Sequence, residues 1–387
     1  MPIYHSLGEL PRKRHIAFRK PQGGLYPEEL VGNKGFVGPS SLVYHLHPPT
    51  QVEKVSHLRH IDWSSEEQPE VRHRHFRTAA LNSSASPTLD RIPLLFNNDV
   101  ALSYVEPTEK SEDFFYRNAQ GDEVVYVSDG EGRLETPMGH LSFSQGDYLV
   151  IPRGILHRYR IASDDTRFLV IESAGYVRTP RRYRNEFGQM LEGAPFSERD
   201  IRRPDDLPTR DESGAFRLVI KKGSALTEVI LKHHPFDLVG WDGYYYPWAF
   251  NIHDFEPKVA RVHLPPPVHQ TFEGDGFVIC SFCPRPYDFD PEAVPAPYNH
   301  SNVMSDEVLY YASPEFMSRK GIEYGSVTLH PDGIPHGPHP GKAEESMGMK
   351  ETKELAVMLD TFRPLKVSRR ALQIEDREYQ YSWLEGS

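Results

Sequence analysis

The chain of 387 residues is long enough for two domains, and its 34 prolines and 28 glycines indicate many turns and few long helices. Its formal charge of -11 argues against non-specific binding to nucleic acid, and no run approaches the ~18 apolar residues that a membrane helix needs. The opening "MPIYHSLGEL" has no apolar segment typical of a signal peptide, so we expect a cytoplasmic protein that meets small molecules.

The first part of the chain reads as β-rich. Residues 1 to about 110 contain short apolar stretches that are broken by proline, glycine and histidine, which is typical of an irregular arm. From Phe114 onward, strand-like runs alternate with turn dipeptides such as Asp129-Gly130. This pattern predicts a β-meander that rolls into a barrel.

A charged, proline-broken connector follows, and strand-like runs return from Phe216 to about Leu365. We therefore expect an all-β-dominated fold with few short helices and two domains, 1–215 and 216–387. The two cysteines, Cys280 and Cys283, lack the second pair that a zinc ribbon needs, so we expect them to pack in the core.

A weak internal repeat links the two halves. "GDYLVIPRGILH" ends at His157 and "GSVTLHPDGIPH" ends at His336, and both read G-x5-P-x-G-x2-H. An acid precedes each histidine, Glu123 in the first copy and Glu307 in the second. Two similar β-barrels in one chain are the simplest interpretation.

The repeated element resembles the second motif of the cupin superfamily. "HSNVMSDE" resembles the first cupin motif, with His300, Asn302 and Glu307 in an H-x-H-x4-E frame. The first half has "NAQGDE", in which Asn118 and Gln120 take the two histidine positions. The resemblance implies two cupin-type barrels, of which the N-terminal one is degenerate and metal-free.

Three side chains are the candidate metal ligands. A strand places alternate residues on one face, and a second strand can aim a distant histidine at the same point. His300, Glu307 and His336 then supply two imidazoles and one carboxylate, a set that suits non-heme Fe(II) with open positions. Asp306 is the rival carboxylate, and Asn302 is better suited to holding a ligand in place than to binding iron.

The second half resembles the homogentisate 1,2-dioxygenase family. The resemblance rests on "FDLVGWDGYYYPWAFNIHDFEP", "APYNHSNVMSDE", "GSVTLHPDGIPHGPHPG" and "KELAVMLDTFRPL". It implies Fe(II)-dependent opening of homogentisate by O2 to maleylacetoacetate in tyrosine and phenylalanine catabolism. It also implies a homo-oligomer, a trimer or a hexamer.

The resemblance further implies roles for individual residues. An upstream histidine near the substrate hydroxyl is either His263 or His269. Three further histidines, His233, His234 and His339, are expected at the surface. The candidate substrate contacts are Tyr298, Tyr311, Arg319, His330 and His336.

Three alternatives stay open. One is a zinc- or manganese-dependent isomerase, which would use similar ligands on the same fold but usually keeps more histidines. The second is a dioxygenase for another ring, such as gentisate or a different hydroxylated aryl acid. The third is a non-catalytic double-barrel protein that binds a ligand or a metal. Iron content and oxygen uptake with homogentisate distinguish these hypotheses.

Overall fold

The computed structural model describes residues 3–35 and 37–384. The strands up to residue 251 are β1 His5–Gly8, β2 Glu28–Gly32, β3 Ser40–His45, β4 Val52–His60, β5 Arg74–Arg77, β6 Ile92–Phe96, β7 Val100–Val105, β8 Phe115–Asn118, β9 Asp122–Asp129, β10 Gly132–Thr136, β11 Gly139–Phe143, β12 Asp147–Ile151, β13 Arg158–Ile161, β14 Arg167–Ser173, β15 Ile201–Arg202, β16 Ser213–Lys222, β17 Ala225–His233, β18 Leu238–Gly243 and β19 Trp248–Asn251. The strands beyond it are β20 Gln270–Gly274, β21 Phe277–Phe282, β22 Arg285–Pro286, β23 Asp306–Tyr311, β24 Ser326–His330, β25 Glu351–Thr352, β26 Ala356–Thr361, β27 Lys366–Val367 and β28 Glu375–Asp376.

Helices are few and short in the described ranges. The two α-helices are α1 Lys342–Ser346 and α2 Arg369–Leu372. The 3₁₀ turns are Thr78–Ala80, Arg181–Tyr183, Glu198–Asp200, Ile252–Asp254, Pro266–His269 and Tyr379–Tyr381. The prediction of an all-β-dominated protein with few short helices is confirmed. None of the helices in residues 3–35 and 37–384 has the length and apolar character needed to cross a bilayer.

Two large sheets correspond to the two predicted barrels. One has eight strands in the order β15-β19-β12-β9-β14-β7-β6-β27, and the other has seven in the order β20-β21-β26-β23-β24-β5-β28. Strands are exchanged between the halves, because β27 pairs with β6 while β5 lies between β24 and β28. The domain boundary at 215/216 stays a prediction, and the pairing of β16 with β8 and of β19 with β12 runs across it.

Burial explains why the central strands read as continuous apolar runs. In β9 seven consecutive residues are buried, and in β23 all six are buried. Because successive side chains of a strand point to opposite faces, both faces of these strands are covered. In β23 this means that two adjacent acids are both buried, each in a different environment.

The internal repeat has a structural counterpart. Gly154 and Gly333 both adopt positive φ, at 83° and 90°, which explains why a glycine occupies the same place in each copy. His157 exchanges backbone hydrogen bonds with Tyr116 at 2.8 and 2.9 Å, and His336 does the same with His300 at 2.8 and 2.9 Å. In each copy the turn therefore returns its final histidine to a segment that lies upstream in the chain.

Candidate metal centre and its cavity

The candidate metal centre is built from one strand and two loops. Glu307 lies on β23, and the bridge between His300 and His336 brings the two imidazoles to it. The Nε2 atom of His300 is 3.5 Å from Oε2 of Glu307, and Nε2 of His336 is 3.2 Å from Oε1. One ligand atom from each of the three residues lies within 4.8 Å of the others.

The hydrogen bonds of the cluster leave its inward-facing atoms free. Nδ1 of His300 donates to the carbonyl of Tyr298 at 3.2 Å, so Nε2 keeps its lone pair for a ligand. Both ring nitrogens of His336 are buried without a hydrogen-bond partner. An orphaned buried imidazole nitrogen costs free energy unless a ligand occupies it. Two such imidazoles and a carboxylate fit a ferrous ion with open coordination positions.

The charge of the carboxylate fits the same interpretation. Burial on its own raises the pKa of Glu307, but the imidazoles of His300, His330 and His336 around its carboxylate outweigh burial and hold that pKa well below its usual value. Glu307 is therefore ionised at neutral pH and available as a ligand. A bound cation would neutralise this buried charge.

The neighbouring acid, Asp306, has different partners. Its two carboxylate oxygens accept hydrogen bonds from the backbone N–H groups of Asp332 at 3.0 Å and Leu365 at 2.7 Å. It does not belong to the cluster that Glu307 shares with the two imidazoles. Because successive side chains of β23 point to opposite faces, Glu307 faces the two imidazoles and Asp306 binds backbone N–H groups on the other side.

His330 lies behind the cluster. It is fully buried, its Nδ1 is 2.9 Å from Oε1 of Glu307, and its Nε2 is 3.2 Å from the hydroxyl of Tyr379. Its ring stacks on that of His336 at 4.6 Å. His330 therefore contacts the candidate ligands, and it is not among the residues that line the cavity in front of them.

A cavity of about 310 Å³ opens in front of the candidate metal centre. Its walls combine charged and polar groups with apolar side chains such as Leu309, Phe316 and Met358. A volume at the lower end of the range of small-molecule pockets, with a few convergent polar groups, suits a small aromatic acid. The predicted site residues in its lining are His263, His269, Tyr298, His300, Glu307 and Arg319.

The two candidate histidines before β20 differ in environment. The side chain of His263 is 46% exposed, and its Nδ1 lies 3.9 Å from Oδ2 of Asp288. His269 ends a 3₁₀ turn and packs its ring against Phe282 at 4.7 Å, and its Nδ1 is buried without a partner. Burial lowers the pKa of His269 to about 3, so its imidazole is neutral at pH 7.

Arg319 is one of three cationic residues that line the cavity, beside Lys258 and Arg285. It is buried, and its Nη1 donates to the carbonyl of Gly337 at 2.7 Å. Its Nε is buried without a hydrogen-bond partner, and Arg319 takes part in none of the ion pairs of the described residues, whereas Arg285 pairs with Glu354 at 2.7 Å. A buried guanidinium without a carboxylate partner is suited to binding an anion.

The two tyrosines lie in different places. Tyr298 is 56% exposed at the rim of the cavity, with its ring edge-on to His263 at 5.2 Å. Tyr311 is fully buried, its hydroxyl lies 3.2 Å from Oγ1 of Thr328, and it is outside the cavity lining. Asn302 lines the cavity, and its Nδ2 is buried without a partner.

Sequence reasoning missed Asp360. It lies opposite Glu307 in the pairing of β23 with β26, lines the cavity, and has an Oδ1 that is buried without a partner. Burial and the charge of Glu307 raise the pKa of Asp360 to about 8. The available signal was an acid inside the apolar run "AVMLDTF", where a strand rarely buries one without a reason.

The prediction that His339 and His234 lie at the surface is wrong. His339 is 1% exposed, and its Nε2 is 2.7 Å from Oγ of Ser382 in the C-terminal segment. His234 is 5% exposed because Phe115 and Phe236 pack against its ring. The local sequence pattern does not reveal this burial, because Ser382 and Phe115 reach the two histidines from distant parts of the chain.

In the N-terminal half, the place that corresponds to the candidate metal centre is occupied by the guanidinium of Arg91. Nη1 of Arg91 is 2.8 Å from Oε1 of Glu123, and Nε2 of His157 is 3.9 Å from Oε2 of the same acid. Asn118 donates to Glu123 at 2.9 Å. The Arg91 cation supplies the positive charge that a metal would otherwise provide. The absence of a metal from this half stays a prediction, with this ion pair as its physical basis.

The sequence comparisons identify one family. A family model described as homogentisate 1,2-dioxygenase N-terminal matches residues 24–252. A candidate dioxygenase of Saccharolobus solfataricus, whose name states no substrate, is 41% identical over 385 residues, 99% of each chain. The homogentisate 1,2-dioxygenase of Bradyrhizobium diazoefficiens is 26% identical over 294 residues, which cover 71% of this chain and 63% of that enzyme.

The similarity to solved structures is weaker. A cupin 2 conserved barrel domain protein from Leptotrichia buccalis has 12% identity and a TM-score of 0.35 over 78% of this chain and 100% of that one, too low to support an inference. The sequence matches span more than half of the chain, and one relative matches it almost from end to end. The chain therefore belongs to the homogentisate 1,2-dioxygenase family.

Proposed function

We propose that the chain is an Fe(II)-dependent ring-cleaving dioxygenase that opens homogentisate, or a close hydroxylated aryl acid, with O2. One observation supports this above all: His300 and Glu307 of a two-histidine, one-carboxylate cluster line a cavity that also holds the buried guanidinium of Arg319, which pairs with no carboxylate of the described residues. A metal site and an anion site in one small cavity match a substrate that is both an aromatic alcohol and an acid.

The metal is assigned to His300, Glu307 and His336. Ferrous iron bound there supplies the redox chemistry by which O2 reacts with an aromatic ring. Asn302 lines the cavity with a buried and unpartnered amide nitrogen, which can donate a hydrogen bond to a reactant beside the cluster. The protein itself contributes position, charge and the exclusion of water.

The acetate arm of the substrate is assigned to Arg319. Its guanidinium keeps Nε free while Nη1 is held by the carbonyl of Gly337, so the group is fixed in place before the substrate arrives. A charge-assisted contact of this kind orients the aromatic ring between the cation and the metal cluster. Uncharged ring analogues would lose this orientation.

The contact with a ring hydroxyl is assigned to His269. Its imidazole is neutral at pH 7 and its buried Nδ1 has no partner, so it can accept a hydrogen bond from the hydroxyl and orient the ring. The overall change adds both atoms of O2 to the ring and needs no other reductant. For homogentisate the product is maleylacetoacetate.

The test combines metal analysis with oxygen uptake. Protein loaded with Fe(II) under anaerobic conditions should contain about one iron per chain and consume O2 with homogentisate. His336→Ala should lose both iron and uptake. His15→Ala, a change of a histidine whose side chain is 94% exposed, should lose neither.

The outcomes separate the hypotheses. Iron with uptake on gentisate but not on homogentisate assigns the cavity to another ring. Iron without uptake on either acid contradicts the proposed reaction. Failure of the wild-type chain to retain iron contradicts the metal site itself.

A further inference from the structure

The C-terminal segment packs behind the candidate metal centre. Tyr379 begins a 3₁₀ turn and is 4% exposed. Beyond that turn, Trp383 lies 4.2 Å from the ring of His339, and its Nε1 donates to the carbonyl of Gly337 at 3.1 Å. Gly337 directly follows His336, so this segment braces the loop that carries a candidate ligand.

A chain of hydrogen bonds runs from this segment to the metal carboxylate. The Tyr379 hydroxyl is 3.2 Å from Nε2 of His330, and Nδ1 of His330 is 2.9 Å from Oε1 of Glu307. A carboxylate oxygen can only accept, so Nδ1 carries the proton of the imidazole. Nε2 is then the acceptor, and the tyrosine hydroxyl donates to it. Because the Glu307 carboxylate can only accept, it fixes the direction of both hydrogen bonds in the chain.

We propose that Tyr379 is a positioning residue for the metal site, acting through His330 to fix the orientation of the Glu307 carboxylate. The inference rests on the proposed function, because it requires Glu307 to be a metal ligand. Partners of this kind set the tautomer and ring orientation around a metal, and their loss typically weakens metal affinity about 10–100-fold. The C-terminal segment thereby becomes part of the metal site without contacting the metal.

The test measures metal affinity without turnover. Metal-free wild type, Tyr379→Phe and the control Tyr381→Phe are titrated with Co(II) against a chelating dye, and the visible absorption of the bound ion is recorded. Tyr381 is 56% exposed in the same turn, so its hydroxyl can be removed without touching His330. Tyr379→Phe should bind Co(II) about tenfold more weakly and with an altered spectrum, whereas the control should match wild type.

A double-mutant cycle separates positioning from general loosening. His330→Asn should weaken Co(II) binding at least as much as Tyr379→Phe, and adding Tyr379→Phe to His330→Asn should cause no further loss. Additive losses would mean that Tyr379 acts independently of His330 and would overturn the proposal. If Tyr379→Phe does not fold, unchanged Co(II) affinity in His330→Asn overturns it equally well.

The two proposals fail in different ways. A wild-type chain that binds neither Co(II) nor Fe(II) refutes the metal site on which the proposed function depends. A wild-type chain that binds Co(II), together with a Tyr379→Phe variant of equal affinity and spectrum, refutes only the positioning role. Thermal unfolding of the metal-free proteins checks that the variants are compared in the folded state.

Discussion

The assignment of Arg319 to the substrate carboxylate gives a sharp prediction. Arg319→Met replaces a buried guanidinium with an uncharged side chain of similar length. The charge-assisted hydrogen bond from Nε to the substrate, worth about 1.5–3 kcal/mol net, would be lost, which corresponds to a fall of about 10–150-fold in kcat/KM. Arg319→Lys keeps the charge but not the planar fork and should lose less.

The assay compares two substrates by oxygen uptake. Homogentisate carries the acetate arm, whereas 2-methylhydroquinone has the same ring without a carboxylate. The Arg319→Met loss should appear with homogentisate and be absent with 2-methylhydroquinone. Arg261→Met serves as the matched control, because that arginine is 75% exposed and paired with Asp290. Equal losses on both substrates would refute the reasoning, because they would show that the change damages the site rather than one contact.

Three further predictions concern other residues. His269→Ala should retain iron but lower kcat/KM about tenfold as the acceptor of the hydroxyl hydrogen bond is lost, with a much smaller effect from His263→Ala; equal effects in oxygen uptake would count against His269. Burial lowers the pKa of His157 to about 4. Between pH 6.5 and pH 4 the imidazole is therefore protonated in the unfolded chain but neutral in the folded chain. The free energy of unfolding should fall as the pH drops through this range. His157→Gln should flatten that slope in denaturant titrations by up to ~1.4 kcal/mol per pH unit, and an unchanged slope would contradict it. Arg91→Met leaves Glu123 buried without its cation and should lower the free energy of unfolding by about 3–5 kcal/mol in chemical denaturation. A decrease below about 1 kcal/mol would show that the ion pair does not stabilise the fold.

Two features of the fold were predictable for physical reasons. The strand runs and turn dipeptides are local signals, and the paired glycines of the repeat mark positions where the backbone needs a positive φ. The domain boundary was harder to place, because β5 and β27 each join the sheet of the other half. Such an exchange depends on contacts between segments about 250 residues apart, as in the pairing of β5 with β24.

The sequence by itself determined the repeat, the predominance of strands and the spacing of His300, Glu307 and His336. Only the tertiary structure decided that Glu307 rather than Asp306 shares the cluster. The alternation of side chains along a strand predicts that two adjacent acids point to opposite faces, but it does not predict which of them faces inward. The tertiary structure also brought in Asp360 from a neighbouring strand and Tyr379 from the C-terminal segment. These contacts join positions far apart in the chain, and their burial and hydrogen bonding exist only once the sheets have packed.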